Sequence, residues 1–97
     1  MEILRPFRER IERVDEQIAV LIAARMAVCS EVAFVKKAEG IPMMQPDRVA
    51  AVRAAYAERG RALGVSPEFM SELALLLISE TCRLEDEIID GPGVKTG

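Results

Sequence analysis

Apolar side chains return along the first third of the chain in two interleaved series with the same spacing. Leu4, Ile11, Ile18, Arg25 and Val32 recur every seven residues, and Phe7, Val14, Leu21, Val28 and Val35 repeat the spacing three positions on. Residues three, four and seven apart share a helix face, so the two series form an a/d seam of the coiled-coil kind. Held for about 34 residues at 1.5 Å per residue, the seam predicts a helix roughly 50 Å long, longer than a compact domain of this size is wide. A second chain has to cover such a seam, so the pattern predicts an intertwined homodimer built on the long helices.

Proline and glycine punctuate the remainder at Gly40 and Pro42, Pro46, Gly60, Gly64 with Pro67, and Gly91-Pro92-Gly93. These breaks leave three helical segments, roughly 4–38, 46–62 and 66–90, and an all-α, three-helix protomer. Pro46 suits a first turn, where its missing N–H costs nothing, and the second helix is expected to turn Val49, Val52, Tyr56 and Leu63 inward until Gly64 ends it. The third opens with Ser66 as N-cap, Pro67 at N1, and Val65 and Met70 as a hydrophobic staple. Its expected inward stripe is Phe69, Leu73, Leu76/Leu77, Leu84 and Ile88, and Gly91-Pro92 stops it. Residues 1–90 then form a single domain with a loose tail at 91–97. Ala38–Gln45, with Gly40 as a point of flexure, is a candidate lid, and Met43 and Met44 read as lid or core filler.

Composition narrows the function classes. The chain has 97 residues, 51% of them apolar, which suits one domain with a modest core. Thirteen basic against sixteen acidic residues give −3 with no histidine, which argues against nucleic acid as a partner and against histidine-based catalysis or metal binding. Cys29 and Cys82 stand far apart with no CxxC, so neither zinc nor a disulfide framework is indicated; both are expected to be reduced and buried. No signal-like start is visible, and no apolar stretch is expected to approach the ~18 residues of a membrane span, so the reading is cytoplasmic, without membrane.

The informative departures from the pattern are charges. Arg25 occupies an a position, where a guanidinium is costly to desolvate unless an anion meets it. Lys36 returns to nearly the same face after three turns plus roughly 20°, about 16 Å along the axis, a spacing suited to closing on a small dianion. Arg48 adds a third cation if the second helix folds back antiparallel. Arg8 lies about 25 Å before Arg25 along one helix, so only an antiparallel partner helix brings it to the same ligand. Such a site binds a multiply charged anion and works by electrostatics, with no activated nucleophile or metal cluster indicated. Each residue also has a plain structural reading. Arg25 could set register against Glu31 or Asp15 of a partner, Lys36 with Lys37 could favour a helix C-terminus, and Arg8, Arg48 and Glu85 could belong to solvated faces.

The spaced residues Phe7-Arg8, Asp15, Arg25, Val32 and Lys36, then Pro46-x-Arg48 and Thr81-x3-Glu85, resemble the all-helical chorismate mutase family, including its isochorismate pyruvate lyase and 4-amino-4-deoxychorismate mutase relatives. The resemblance implies the type II dimer. It also implies an intramolecular [3,3] rearrangement of a dicarboxylate, chorismate to prephenate, without cofactor or covalent intermediate. In it Arg8 reaches a substrate carboxylate from the partner chain, Arg25 binds a carboxylate in its own subunit, and Lys36 meets the ether oxygen whose bond breaks. Arg48 helps to order the site, and Thr81 lies near a carboxylate. Clamping both carboxylates folds the enolpyruvyl arm over the ring, and a cation at the ether oxygen stabilises the charge that grows there.

Two positions depart from the family's pattern. Its glutamate for the C4 hydroxyl is here Val49, and its frequent aspartate three residues before Arg48 is Gln45; without the acceptor, selection for chorismate itself weakens, and a 4-amino-4-deoxy ring becomes a candidate. Glu85 stands where the family commonly has a glutamine that donates to the ether oxygen. A carboxylate there repels the developing oxyanion, so Glu85 must be protonated or bind something cationic. Isochorismate pyruvate lysis and a non-catalytic helical dimerisation module are the alternative readings.

Overall fold

The computed structural model describes residues 2–42 and 45–90. A short 3-10 turn at Glu2–Leu4 leads into α1 (Arg5–Glu39), followed by α2 (Pro46–Leu63) and α3 (Pro67–Asp90). The protein is all-helical among the described residues, with boundaries within a residue or two of those expected. The Gly91-Pro92 stop, the tail, and Met43 and Met44 of the expected lid lie outside the described residues.

The helix ends follow from backbone chemistry. Gly40 takes the left-handed conformation (φ 67°) that a side chain disfavours, and its N–H and that of Ile41 both reach the Lys36 carbonyl. The helix therefore runs through Ala38 and Glu39, which shortens the loop expected at Ala38–Gln45. Gln45 is extended, and its carbonyl accepts from Arg48 N at 2.9 Å and Val49 N at 3.1 Å, which fixes both residues in the first turn of α2. Gly64 (φ 75°) closes α2 in a Schellman-type turn, with Val65 N bonded to Gly60 O at 2.8 Å. One residue on, Ser66 Oγ accepts from Phe69 N at 3.1 Å, the N-cap bond expected for α3.

α3 packs against both α2 and α1, whereas α1 and α2 make no close backbone approach among the described residues. Gly60 makes the α2–α3 turn tight, since a Cβ there would stand 2.8 Å from Met70 Cγ. Arg53 braces the same pair of helices by donating to Ser71 Oγ at 3.1 Å. α1 meets α3 only along its C-terminal half: residues 5–24 are all exposed. The molecule measures 58 × 30 × 16 Å with a radius of gyration of 17.3 Å, against about 13 Å for a compact chain of this length.

Very little is fully buried: Ala33, Ala74, Gly60 and the carboxylate of Glu85. The a/d seam faces solvent, with Phe7 55%, Ile11 58%, Leu21 68% and Val28 58% exposed. Three expectations of inward residues are corrected. Leu63, Phe69 and Leu76 are exposed, because a helical stripe shows which residues share a face and not which part of that face the same chain covers. Cys29 and Cys82 are half-buried instead of fully buried. The expectation that no apolar stretch approaches membrane-span length is also corrected. By length and composition α1 is apolar enough to cross a membrane, with an 18-residue window of mean hydropathy 2.1. The charges that interrupt its apolar runs, Arg25 and Glu31, are too few to lower the average.

Candidate active site

The gap between α1 and α2, floored by α3, is a cavity of about 530 Å³. From α1 it takes Arg25, Val28, Cys29, Val32 and Lys36; from the start of α2, Gln45, Arg48, Val49 and Val52; from α3, Ile78, Thr81, Cys82 and Glu85. Three cations against one carboxylate leave the walls with a formal charge of +2, in a chain whose total is −3. The rest of the lining is mainly aliphatic, so Arg25 and Lys36, both partly buried, stand in a weakly polar part of the cavity, whereas Arg48 is exposed at its edge.

Two side-chain groups organise the cavity. At one end Arg25 Nη1 donates to Thr81 Oγ1 at 2.9 Å and approaches Cys29 Sγ at 3.8 Å, with Cys29 Sγ 3.5 Å from the same hydroxyl. At the other end Lys36 Nζ meets both oxygens of Glu85, at 3.1 and 3.5 Å, with side-chain exposures of 16% and 4%. Burying a carboxylate this far is tolerable only with such a partner. The Cys82 thiol is pushed up from its ordinary pKa, chiefly by burial, then by the neighbouring Glu85 and Asp86, with Lys36 acting the other way.

Of the residues singled out in the sequence, Arg25, Val32, Lys36, Gln45, Arg48, Val49, Thr81 and Glu85 come together around this cavity. Arg8 does not: it lies on the exposed half of α1, about 25 Å along the axis from Arg25. Sequence reasoning missed Val28, Cys29, Val52, Ile78 and Cys82. Val28 and Cys29 stand three and four residues after Arg25, Val52 four after Arg48, Ile78 three before Thr81 and Cys82 three before Glu85, so the i, i+3 and i, i+4 neighbours of the chosen residues would have found all five.

A long helix presenting two spaced cations to a cavity completed by the start of the second helix and the end of the third defines the class. Residues 7–86 match the model of the family described as chorismate mutase type II, and the chain belongs to that family. It is 36% identical over 86 residues to a 4-amino-4-deoxychorismate mutase of Streptomyces pristinaespiralis, an alignment covering 89% of this chain and 67% of that protein. A 4-amino-4-deoxychorismate mutase of Streptomyces venezuelae is 29% identical, with 89% and 84% covered. A T-protein of Enterobacter agglomerans is 30% identical over 87% of this chain, which spans only 22% of that protein. No solved structure matches. The chain is accordingly an enzyme, an isomerase of the chorismate mutase type.

Proposed function

We propose that the protein catalyses the [3,3] rearrangement of 4-amino-4-deoxychorismate to the 4-amino-4-deoxy counterpart of prephenate, with chorismate itself as the second reading. The carrying observation is the cavity with a formal charge of +2 whose wall at the start of α2 presents Val49 and not a carboxylate. Without an acceptor at this position the site has nothing with which to demand a ring hydroxyl. Two relatives named as 4-amino-4-deoxychorismate mutases favour the amino ring.

In this reading the active unit is a homodimer of the intertwined type, acting in the cytoplasm, with residues 1–90 as its one domain. The partner's α1 covers the exposed seam and brings Arg8 of the partner subunit to the mouth of the cavity. A partner helix explains the apolarity of α1 better than a bilayer does, because Arg25 stands mid-helix and faces a cavity built for anions. Arg25, Arg48 and the partner's Arg8 take the two carboxylates and hold the enolpyruvyl arm over the ring, which replaces much of the entropic part of the barrier by binding. Lys36 stands at the ether oxygen. Its ammonium, held beside Glu85, places a positive charge where negative charge grows as the C–O bond breaks. The cation that Glu85 requires is thus Lys36, and the pair holds the ammonium in place before substrate arrives. No cofactor or metal enters the reaction.

Parallel incubation with chorismate, 4-amino-4-deoxychorismate and isochorismate, with product identification, tests the proposal. The expected result is faster turnover of the amino substrate with all its carbons retained in one product. Release of pyruvate from isochorismate alone would replace the mutase reading by a lyase, and inertness to all three would leave a helical dimerisation module.

A further inference from the structure

We propose that Thr81 is a positioning residue for Arg25: its hydroxyl is anchored to the backbone of α3 and offers a lone pair that fixes the guanidinium across the floor of the cavity. The inference rests on the reading of Arg25 as a carboxylate-binding residue and adds a role that the family resemblance does not assign, since there Thr81 lies near the carboxylate itself.

The Thr81 hydroxyl has one proton to place. A threonine hydroxyl donates once and accepts through two lone pairs. Thr81 Oγ1 lies 2.9 Å from the Leu77 carbonyl one turn earlier, which can only accept. The other candidate acceptors are sulfurs, Met26 Sδ at 4.0 Å and Cys29 Sγ at 3.5 Å, both weaker. The proton therefore goes to Leu77, and the lone pairs face Arg25 Nη1, a donor at 2.9 Å that can only give. A carboxylate in the cavity is likewise acceptor-only, so it would meet the lone pairs of Thr81, not its proton, unless the bond to Leu77 broke first.

The consequence is mechanical. Arginine carries a long side chain with several free torsions, and α1 alone does not fix where its guanidinium points. Thr81 takes one N–H of Arg25 Nη1, a second is directed at Cys29 Sγ, and the other three of the five donors remain for the ligand. A fixed guanidinium binds a carboxylate without first losing its own freedom.

A double-mutant cycle separates this role from direct contact with substrate. Thr81→Val keeps the branched shape and removes the hydroxyl; Thr81→Ser keeps the acceptor. With whichever of 4-amino-4-deoxychorismate and chorismate the parent converts faster, Thr81→Val should lower kcat/KM about tenfold, the equivalent of one hydrogen bond to a charged group. Thr81→Ser should stay within about threefold of the parent. In an Arg25→Ala background, Thr81→Val should cost nothing more; where turnover of the double variant falls below detection, calorimetric affinity for prephenate is read the same way. Equal losses in the parent and Arg25→Ala backgrounds would show that Thr81 touches the substrate directly and would overturn the inference, as would a Thr81→Val variant within about twofold of the parent. Undiminished turnover by Arg25→Ala would instead refute the carboxylate-binding reading of Arg25 on which the inference stands.

Discussion

Lys36 is the cation of the cavity whose loss should cost most, because it is nearly buried and already oriented by Glu85. Removing a preorganised donor to a developing negative charge slows a reaction by roughly 10²–10³-fold, so Lys36→Ala should lower kcat by that factor, measured at a temperature where the variant keeps its helical spectrum; its melting temperature should also fall, because buried Glu85 loses its partner. Glu85 is a subtler case. Glu85→Gln keeps the size of the side chain, relieves the repulsion between a carboxylate and the ether oxygen, and adds an amide donor. Its activity should equal or exceed that of the parent at neutral pH; a loss of tenfold or more would show that the carboxylate itself is needed to hold Lys36. Cys82 provides a readout of burial in the same place. Since its thiol is held above the ordinary pKa by burial and by Glu85 and Asp86, the thiolate fraction at neutral pH is lower than that of a free cysteine, and alkylation should be correspondingly slower and should accelerate as pH rises. Labelling at the rate of free cysteine at pH 7.5, followed by mass spectrometry, would show that the cavity is open to solvent at that point.

At the scale of the helices, two glycines make the α2–α3 turn that carries Arg48 and Thr81 on one rigid hairpin. A methyl group at Gly60 would meet Met70 Cγ and Val65 O, each at 2.8 Å, and the second contact is backbone that cannot swing away. Gly40 has positive φ but open space around it. Gly60→Ala should therefore lower the melting temperature more than Gly40→Ala, whose cost is confined to the left-handed backbone, about 1 kcal/mol. The reverse order would contradict the packing of this turn. These helix ends were legible in the sequence because proline, glycine and Ser66 act locally: each fixes its own φ or satisfies its own turn. The cavity was legible in part for the same reason, since Arg25 is a charge at a position where the local pattern asks for an apolar residue, and Lys36 returns to nearly the same face of the one helix. The pairing of Lys36 with Glu85, 49 residues apart, was not. It depends on the angle at which α3 crosses α1, and no local pattern encodes a crossing angle. The exposure of Phe69 and Leu76 escaped for a related reason: the stripe was visible, but no other described part of the chain covers that stretch of it.

The whole molecule is too thin for its own apolar surface. A chain 58 Å long and 16 Å thick that exposes Phe7, Ile11, Val14, Ile18 and Leu21 along one helix has one element waiting for another. If a second copy supplies it, stability and activity depend on protein concentration. The mass in solution should be twice 10.7 kDa, and Ile11→Asp, which places a charge in the seam, should give a poorly folded monomer with little turnover. The sharper test asks whether the two chains share each site. Arg8 and Arg25 lie too far apart on one helix to hold one ligand, so Arg8→Ala and Arg25→Ala should each abolish both sites of a homodimer. In a mixed dimer, one site receives both substitutions and the other receives neither. Coexpression with two affinity tags and isolation of the doubly tagged species should then restore about half the parental activity per dimer. Activity no higher than that of either single variant would show that Arg8 serves its own chain or no site at all. The shared site would then be refuted even if the protein were dimeric.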